Sequence, residues 1–281
     1  MLIDGKLISN QIKADLSKEV ETLKATYGRA PKLAVILVGE DPASQVYVRN
    51  KEKACEKIGI ENLLIKTEDT ISEMELLEMI DDLNKDEGVD GILVQLPLPK
   101  HINEMKVIEA ISPKKDVDGF HPESVASLFL NREGFVPCTP AGVMELLDAI
   151  HYDLEGKEVV VVGRSNNVGK PIALLALQRN ATVTIAHSRT NNLKDVCKRA
   201  DVVIAAVGKA EMITDEYIKE GAVVIDIGIN RKADGKLCGD VAYEKVAPIA
   251  SAITPVPGGV GPMTVTLLMK NTVEAYKRGM N

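Results

Sequence analysis

The amino-acid sequence predicts an α/β protein with two α/β domains, the second a Rossmann-like parallel sheet, and a ligand cleft between them. Short runs rich in β-branched residues alternate with longer segments of helical period, which is typical of βαβ units. The apolar run at residues 159–162 is continuous rather than alternating, as expected for a strand covered on both faces. The length, 281 residues, fits two domains of ordinary size.

The first half of the chain predicts helices and strands in turn. The predicted helices are residues 9–26, residues 43–58, one opened by Ser72 and running to Asn84, and one beginning near Asn103; the predicted strands are 33–38, 63–66 and 89–96. Ser72 and Glu75 have the spacing of a capping box, which satisfies free N–H groups at a helix start. Residues 112–121 combine Pro with paired Lys and Asp around a glycine and predict a loop.

The second half predicts another α/β series. Thr139 before Pro140 predicts a helix start, with Thr139 as N-cap and Pro140 at the first helical position, and this helix runs to Ile150. Strands follow at 159–162, 182–186, 202–205, 223–227 and 252–256, with helices at 170–179 and 193–199. The apolar helical tail, 263–277, is expected to return to the first domain. The predicted domains are therefore 1–138 plus 263–281, and 139–262.

Composition narrows the class of function. A net charge of −7 and 3% aromatic residues disfavour nucleic-acid binding, which needs a basic face or stacking rings. The four cysteines and four histidines are dispersed, so neither a disulfide framework nor a metal site is predicted. The apolar runs are too short to span a membrane, and the N-terminus lacks a secretion signal. These features favour a cytoplasmic enzyme or binding protein.

The turn after residues 159–162 predicts a dinucleotide site. It runs from Gly163-Arg164-Ser165 to Gly169, and the predicted helix starts at Lys170, so free N–H groups at the helix start are expected to face a phosphate. The spacing departs from G-x-G-x-x-G because Ser165 takes the middle glycine position. The alternative is a strand-to-helix turn that binds nothing.

The end of the next predicted strand bears on the choice of nucleotide. An NAD site usually has a carboxylate there to hold the ribose hydroxyl, but residues 182–186 run into His187-Ser188-Arg189. Arg164, Ser188 and Arg189 would instead hold a 2′-phosphate, which favours NADP over NAD. The alternative is that both arginines lie in solvent.

Polar residues of the first half converge on one predicted sheet edge. Tyr47 and Lys51 are four residues apart, so they share a helix face. Gln95 lies where a later predicted strand ends, at the same edge of the parallel sheet. Asp118 belongs to a segment, residues 115–120, that follows another βα-type crossover and is expected to close the same cleft. Each residue alone is equally well explained by amphipathic packing, backbone capping or a solvated turn. A Tyr-x-x-x-Lys pair also occurs in short-chain dehydrogenases, but there it follows the glycine turn rather than preceding it.

Residues 254–264 form a second glycine-rich segment, with three prolines and three glycines. Glycines allow close approach of a flat ligand, and prolines limit mobility. The alternative is a rigid connector between domains. Residues 226–230 follow another strand and are expected to line the cofactor cleft.

Together the motifs resemble one family over nearly the whole chain. In order, they are Tyr47-Val48-Arg49-Asn50-Lys51, Val94-Gln95-Leu96-Pro97-Leu98-Pro99, Lys115-Asp116-Val117-Asp118-Gly119-Phe120, Gly163-Arg164-Ser165, Asp226-Ile227-Gly228-Ile229-Asn230 and the run from Pro255 to Thr264. The sequence is identified as a member of the bifunctional methylenetetrahydrofolate dehydrogenase/methenyltetrahydrofolate cyclohydrolase family.

The resemblance implies two activities in a folate cleft between the domains. NADP oxidises 5,10-methylenetetrahydrofolate to the methenyl cation, which is then hydrolysed to 10-formyltetrahydrofolate. It also implies homodimers joined through their cofactor domains. The reaction belongs to one-carbon metabolism, which serves purine, methionine and histidine biosynthesis.

The resemblance also implies roles for particular residues. Lys51 is the catalytic lysine, Tyr47 stacks near the pterin, Gln95 orients Lys51, and Asp118 holds the pterin ring. Further folate-binding positions are Leu96, Pro257, Gly258, Gly259, Gly261, Pro262 and Thr264. The cofactor-binding positions are Gly163, Arg164, Ser165, Ser188 and Ile229.

The chemistry suggests what these residues do. Hydride transfer mainly needs positioning, whereas hydrolysis needs a general acid/base. A bound cation and partial desolvation should both lower the pKa of Lys51, so we expect its neutral amine to move the proton. Two other functions remain open: a monofunctional dehydrogenase, using NADP or NAD, and a non-catalytic regulator that senses NADP.

Overall fold

The computed structural model describes residues 1–280, which form two compact units. One holds Met1–Ser9 and Pro137–Thr264, and we call it the five-stranded unit after its sheet. The other holds Asn10–Val136 and the segment from Val265 onward, and we call it the three-stranded unit. The predicted domain boundaries stay a prediction, because a compact group of residues is not a test of independent folding.

The three-stranded unit has a parallel sheet with β1 in the middle. Its strands are β1 (Lys32–Val38), β2 (Glu61–Thr67) and β3 (Gly91–Val94), in the order β2–β1–β3. The helices are α1 (Gly5–Tyr27), which starts in the other unit, then α2 (Pro42–Ile58), α3 (Glu73–Lys85), α4 (Glu104–Ala110) and α5 (Pro122–Phe129). Every residue of β1 after Lys32 is buried, as a central strand covered on both faces requires.

Local capping explains where these helices begin. The Asp41 carboxylate accepts the N–H of Ser44 at the start of α2. Ser72 and Glu75 form the predicted capping box at the start of α3, so that prediction is confirmed. Asn103 caps α4 by accepting the N–H groups of the first turn.

In this unit one predicted strand is too long and one helix was not predicted. The strand predicted at 89–96 spans only Gly91–Val94, because the chain turns away before Pro97, which has no N–H to continue a ladder. Helix α5 lies just beyond the predicted loop and was not predicted. It is capped by the His121 ring, whose Nδ1 accepts the N–H of Glu123, and imidazole is not among the usual N-cap groups.

The five-stranded unit has an all-parallel sheet of the Rossmann type. Its strands are β4 (Glu158–Val162), β5 (Thr182–Ala186), β6 (Val202–Ala205), β7 (Val223–Asp226) and β10 (Ala252–Ile253), in the order β10–β7–β6–β4–β5. The remaining elements are α6 (Cys138–Ala149), α7 (Gly169–Gln178), α8 (Leu193–Lys198), a 3₁₀ turn (Asp215–Tyr217), the ribbon of β8 (Asn230–Arg231) and β9 (Leu237–Cys238), α9 (Tyr243–Val246) and α10 (Val260–Met280), which continues into the other unit.

This strand order reverses between β4 and β6. In open parallel sheets, ligands bind beyond the carboxyl ends of the strands at such a reversal. The four residues 159–162 of β4 are fully buried, which confirms the prediction of a strand covered on both faces. The predicted Rossmann-like sheet is therefore confirmed.

Thr139 was wrongly predicted as an N-cap. Helix α6 starts at Cys138 after Pro137, and the Thr139 hydroxyl instead lies 2.8 Å from the Thr264 hydroxyl. Pro140 is therefore the third helical residue rather than the first, and it fits there because none of the first N–H groups of a helix has an intrahelical partner.

Other boundaries shifted for similar reasons. Strand β10 ends at Ile253 rather than residue 256, since prolines at 255 and 257 cannot donate to a ladder. Helix α10 begins at Val260, three residues before the predicted start. The ribbon of β8 and β9 was not predicted, because two-residue strands carry no periodic signal. None of the helices formed by residues 1–280 is long and apolar enough to cross a membrane.

Candidate active site

Lys51 and Gln95 meet at the carboxyl edge of the three-stranded sheet. The Lys51 Nζ donates to Gln95 Oε1 at 2.8 Å. The Gln95 Nε2 donates to the carbonyl oxygen of Leu96 at 2.7 Å, which turns Oε1 towards the lysine. Lys51 lies on α2, which follows β1, and Gln95 follows β3, the neighbour of β1 in the sheet. The pairing is therefore a direct consequence of the parallel topology.

The face of α2 that carries Lys51 changes from exposed to buried along the helix. Tyr47, one turn before Lys51, is 45% exposed. Cys55, one turn after it, is fully buried with its Sγ 3.4 Å from Met269 Sδ. Burial raises the pKa of the Cys55 thiol to about 12, so it is a neutral packing group rather than a nucleophile. Sequence reasoning missed this apolar contact because Met269 lies more than two hundred residues away.

The two aspartates of the Lys115–Phe120 motif have different environments. The Asp116 carboxylate is buried and accepts the N–H groups of Gly119, Phe120 and His121 and the hydroxyl of Ser124. Asp118 is only partly buried, and it lines a small recess together with Leu96. Asp116 thus shapes the loop, and Asp118 is left as the candidate for ligand contact.

Asn271 of α10 holds the same loop from the other side. Its Nδ2 donates to the carbonyl oxygen of Val117 at 2.8 Å and to that of Val136 at 3.2 Å. The sequence pattern did not single out Asn271, because a lone amide on an amphipathic helix has no distinctive signal.

Two glycines shape the turn after β4 in the five-stranded unit. A methyl group on Gly163 would overlap the carbonyl oxygen of Ala206, and one on Gly169 would overlap that of Gly163. Gly163 also has φ of 143°, a conformation that side chains disfavour. The Ser165 hydroxyl accepts the Gly169 N–H at 3.2 Å, so serine in the middle position stabilises the start of α7. Close backbone contacts therefore require glycine at both positions, as in the tight strand-to-helix turn of a dinucleotide site.

The end of β5, the strand next to β4, carries no carboxylate in its turn. The His187 N–H donates to Thr190 Oγ1, and the Arg189 N–H donates to His187 Nδ1, which closes a tight turn. Ser188 and Arg189 are exposed, as is Arg164 after β4. Exposed hydroxyl and guanidinium groups at two adjacent strand ends fit a 2′-phosphate.

Ile229 projects from the turn after β7 and is 51% exposed. Asp226, which the sequence suggested as part of the cleft lining, is instead buried and accepts the N–H groups of Gly228, Asp240 and Val241. Burial raises its pKa to about 6, although these backbone donors act in the opposite direction.

The glycine-rich segment after β10 packs tightly against the chain's beginning. A methyl group on Gly5 would overlap the carbonyl oxygen of Gly259, and the Lys6 N–H donates to the carbonyl oxygen of Gly258. Pro257 and Gly261 are exposed, whereas Gly259 is buried. A side chain at Gly261 would touch Ile229, so the proposed folate loop and a proposed cofactor residue are neighbours within this unit.

These features define a nucleotide-binding α/β protein, with a Rossmann-type sheet and a second parallel sheet that presents a lysine–glutamine pair. The family described as the catalytic domain of tetrahydrofolate dehydrogenase/cyclohydrolase matches residues 3–118. The NAD(P)-binding domain of the same enzyme matches residues 137–280. The chain therefore belongs to the tetrahydrofolate dehydrogenase/cyclohydrolase family.

Individual proteins support this assignment. The Bifunctional protein FolD of Agathobacter rectalis is 60% identical over 277 residues, which is 99% of each chain. The crystal structure of the bifunctional FolD enzyme from Campylobacter jejuni is 49% identical, covers 99% of each chain and has a TM-score of 0.97. The Trypanosoma brucei enzyme, solved with NADP and an inhibitor, is 39% identical, covers all of this chain and 98% of its own, and has a TM-score of 0.95.

Proposed function

We propose that this protein oxidises 5,10-methylenetetrahydrofolate with NADP and hydrolyses the resulting methenyl cation to 10-formyltetrahydrofolate. The observation that carries this proposal is the Lys51–Gln95 hydrogen bond at the ligand-binding edge of the catalytic-domain sheet. A dehydrogenase alone has no need of an oriented amine, and neither has a regulator that senses the nucleotide. The reaction belongs to one-carbon metabolism and would serve purine, methionine and histidine biosynthesis.

For the oxidation, the protein's contribution is positioning. The glycines at 163 and 169 keep the turn after β4 tight enough for close approach of a diphosphate, and the exposed Ile229 offers an apolar surface to the nucleotide. Bound NADP supplies the hydride acceptor. The folate-binding residues assigned to the glycine-rich segment are Pro257, Gly258, Gly259, Gly261, Pro262 and Thr264.

For the hydrolysis, Lys51 is the proton carrier. The attacking water must lose a proton, and a ring nitrogen must gain one when the ring opens. A cationic substrate next to the partly buried Lys51 disfavours its ammonium form. Gln95 holds the amine in place through the 2.8 Å hydrogen bond. Tyr47 stacks on the pterin from its exposed position, and Asp118 binds the pterin nitrogens.

The nucleotide is NADP rather than NAD, since the β5 turn lacks the carboxylate that would hold a ribose 2′-hydroxyl. Arg164 and Ser188 are the groups that would hold the 2′-phosphate. A methylenetetrahydrofolate dehydrogenase that uses NAD is the second candidate.

The test combines the purified protein with methylenetetrahydrofolate and either NADP or NAD. The expected result is NADPH formation, transient methenyl absorbance, and hydrolysis of added methenyltetrahydrofolate without nucleotide. NADPH without hydrolysis would favour the monofunctional enzyme. Turnover with NAD but not with NADP would overturn the choice of nucleotide. A protein that shows neither oxidation nor hydrolysis would overturn the proposal.

The proposed homodimer would form through strand β5. This strand is at the edge of the five-stranded sheet, so one row of its backbone groups has no neighbouring strand. Ile185 on β5 and Leu177 on α7 are 40% and 58% exposed, which adds apolar surface next to that edge. Light scattering should give the mass of two chains, and Ile185→Lys should give one. The matched control is Leu63→Lys on β2, which is an edge strand of the three-stranded sheet. A monomeric parent protein would contradict the proposal.

A further inference from the structure

Two carboxylates are buried side by side in the five-stranded unit. Asp226 ends β7 and is 3% exposed, and Asp240 follows β9 and is fully buried. The backbone N–H of Asp240 donates to Asp226 Oδ1 at 2.9 Å. Each carboxylate fills the space beside a glycine, because a methyl group on Gly228 would overlap Asp240 and one on Gly239 would overlap Asp226. The pair is therefore a built feature with no room for other side chains.

The Asp240 carboxylate accepts three consecutive backbone N–H groups from the loop after β6. The donors are Val207 at 2.6 Å, Gly208 at 3.0 Å and Lys209 at 2.9 Å. An anion that satisfies three successive amides holds the backbone of that loop in one conformation.

That loop adjoins the glycine turn of the nucleotide site. Strands β4 and β6 are neighbours, and Ala206, directly before the three donors, places its carbonyl oxygen where a side chain at Gly163 would be. The position of the loop after β6 therefore sets the position of one wall of the Gly163 turn.

Asp240 also holds the turn that presents Ile229. The Asn230 Nδ2 donates to Asp240 Oδ1 at 2.8 Å. On the other side of Ile229, the Gly228 N–H donates to Asp226 Oδ1 at 2.9 Å. The exposed isoleucine is thus fixed from both flanks by the two buried carboxylates.

We propose that Asp240 is a positioning residue for the nucleotide, because its carboxylate ties the loop beside Gly163 to the turn that presents Ile229. This inference rests on the proposed placement of the cofactor at Gly163 and Ile229. The hydrogen bonds of the Asp240 carboxylate go to Val207, Gly208, Lys209 and Asn230, all in the five-stranded unit, so hydrolysis of methenyltetrahydrofolate at Lys51 should not depend on it.

The test is Asp240→Asn, which keeps the shape but turns one acceptor oxygen into a donor that faces other donors. We expect the KM for NADP to rise about tenfold or more, since one acceptor is lost and the hydrogen bonds that remain lose the assistance of the negative charge. The kcat/KM for hydrolysis of methenyltetrahydrofolate, which needs no nucleotide, should stay within about twofold of the parent value. Asp234→Asn removes the same charge from the exposed tip of the ribbon and should change neither activity.

Other outcomes separate the inference from the proposed function. Equal losses in both activities would show a merely structural role and overturn the inference. An unchanged KM for NADP in Asp240→Asn, together with a raised KM in Ile229→Ser, would overturn the inference and leave the cofactor placement standing. An unchanged KM in Ile229→Ser and Gly163→Ala would overturn the placement itself.

A second variant covers the case in which Asp240→Asn does not fold. Asn230→Ala removes only the hydrogen bond from Asn230 to Asp240, in the turn that presents Ile229. Because Asn230 is partly exposed, the folded protein should tolerate this substitution. We expect a rise of a few-fold in the KM for NADP with unchanged hydrolysis. An unchanged KM in this variant would overturn the inference.

Discussion

Asp116 and Asp240 are both buried carboxylates that hold a loop, but they reach different distances along the chain. Asp116 accepts from groups three to eight residues further on, so it shapes a single loop next to β3. Asp240 accepts from Val207, Gly208 and Lys209, which are 31 to 33 residues earlier, and so joins two separate loops. The first arrangement shapes the loop that carries Asp118, the proposed ligand contact. The second sets the relation between two parts of a nucleotide site.

We therefore expect the two activities to depend on different parts of the molecule. The proposed hydrolytic residues Lys51, Gln95 and Asp118 belong to the three-stranded unit, and the proposed nucleotide residues belong to the five-stranded unit. Substitutions on the two sides should therefore change the two activities unequally.

The largest expected effect on the nucleotide side comes from Gly163→Ala. The added methyl group overlaps the Ala206 carbonyl oxygen, and φ of 143° disfavours any side chain. We expect the KM for NADP to rise about a hundredfold or more, because misplaced phosphate-binding groups lose most of their binding energy. Hydrolysis of methenyltetrahydrofolate should persist. Gly279→Ala, which meets no atom within 4 Å, is the control. Equal loss of oxidation and hydrolysis in Gly163→Ala would contradict the expectation that the two activities depend on different units.

Asp226, in the five-stranded unit, should make the free energy of unfolding depend on pH. Burial raises the pKa of Asp226 from 3.8 to about 6. Between these two pH values the Asp226 carboxyl is mostly protonated in the folded protein and mostly ionised in the unfolded chain. The stability that Asp226 contributes is fully present below pH 3.8 and is lost as the pH rises through about 6. The free energy of unfolding of the parent, relative to Asp226→Asn, should fall by about 2 kcal/mol between about pH 4.5 and 7. Urea titrations at each pH measure it, and a constant difference would contradict the raised pKa.

Asp116→Asn tests the local arrangement and should have a smaller effect. The amide loses an acceptor for the Gly119, Phe120 and His121 N–H groups, so Asp118 is held less firmly. We expect the KM for the folate substrates to rise about tenfold in both activities. The KM for NADP should stay within about twofold. Steady-state kinetics with each substrate varied in turn measure these KM values. A KM for NADP that rises as much as the KM for folate would contradict a local role of Asp116.

Short-range features of the fold were predictable from the sequence, and long-range ones were not. The Ser72–Glu75 capping box, the parallel βαβ order and the Gly163 turn each depend on residues close together in the chain. Thr139 has the local pattern of an N-cap, but its hydroxyl pairs with Thr264. The helix begins at Cys138, two residues before the predicted start, and Pro140 is tolerated there because the first turn of a helix does not need its N–H.

The candidate site follows the same rule. Lys51 and Gln95 could be brought together because parallel strand ends share an edge of the sheet. No pattern near Asp240 indicates its donors, and none distinguishes the buried Asp116 from the partly exposed Asp118. Those roles depend on which backbone groups lie nearby only once the chain is folded.

The central claim is that the Lys51 amine moves the proton during hydrolysis and is not needed for hydride transfer. The direct measurement is the ratio of the two kcat values in Lys51→Met, with Lys53→Met, an exposed lysine on the same helix, as control. In Lys51→Met we expect hydrolysis to fall by about 10²- to 10⁴-fold while dehydrogenation largely survives, and we expect Lys53→Met to change neither activity. Equal loss of both activities in Lys51→Met would contradict it.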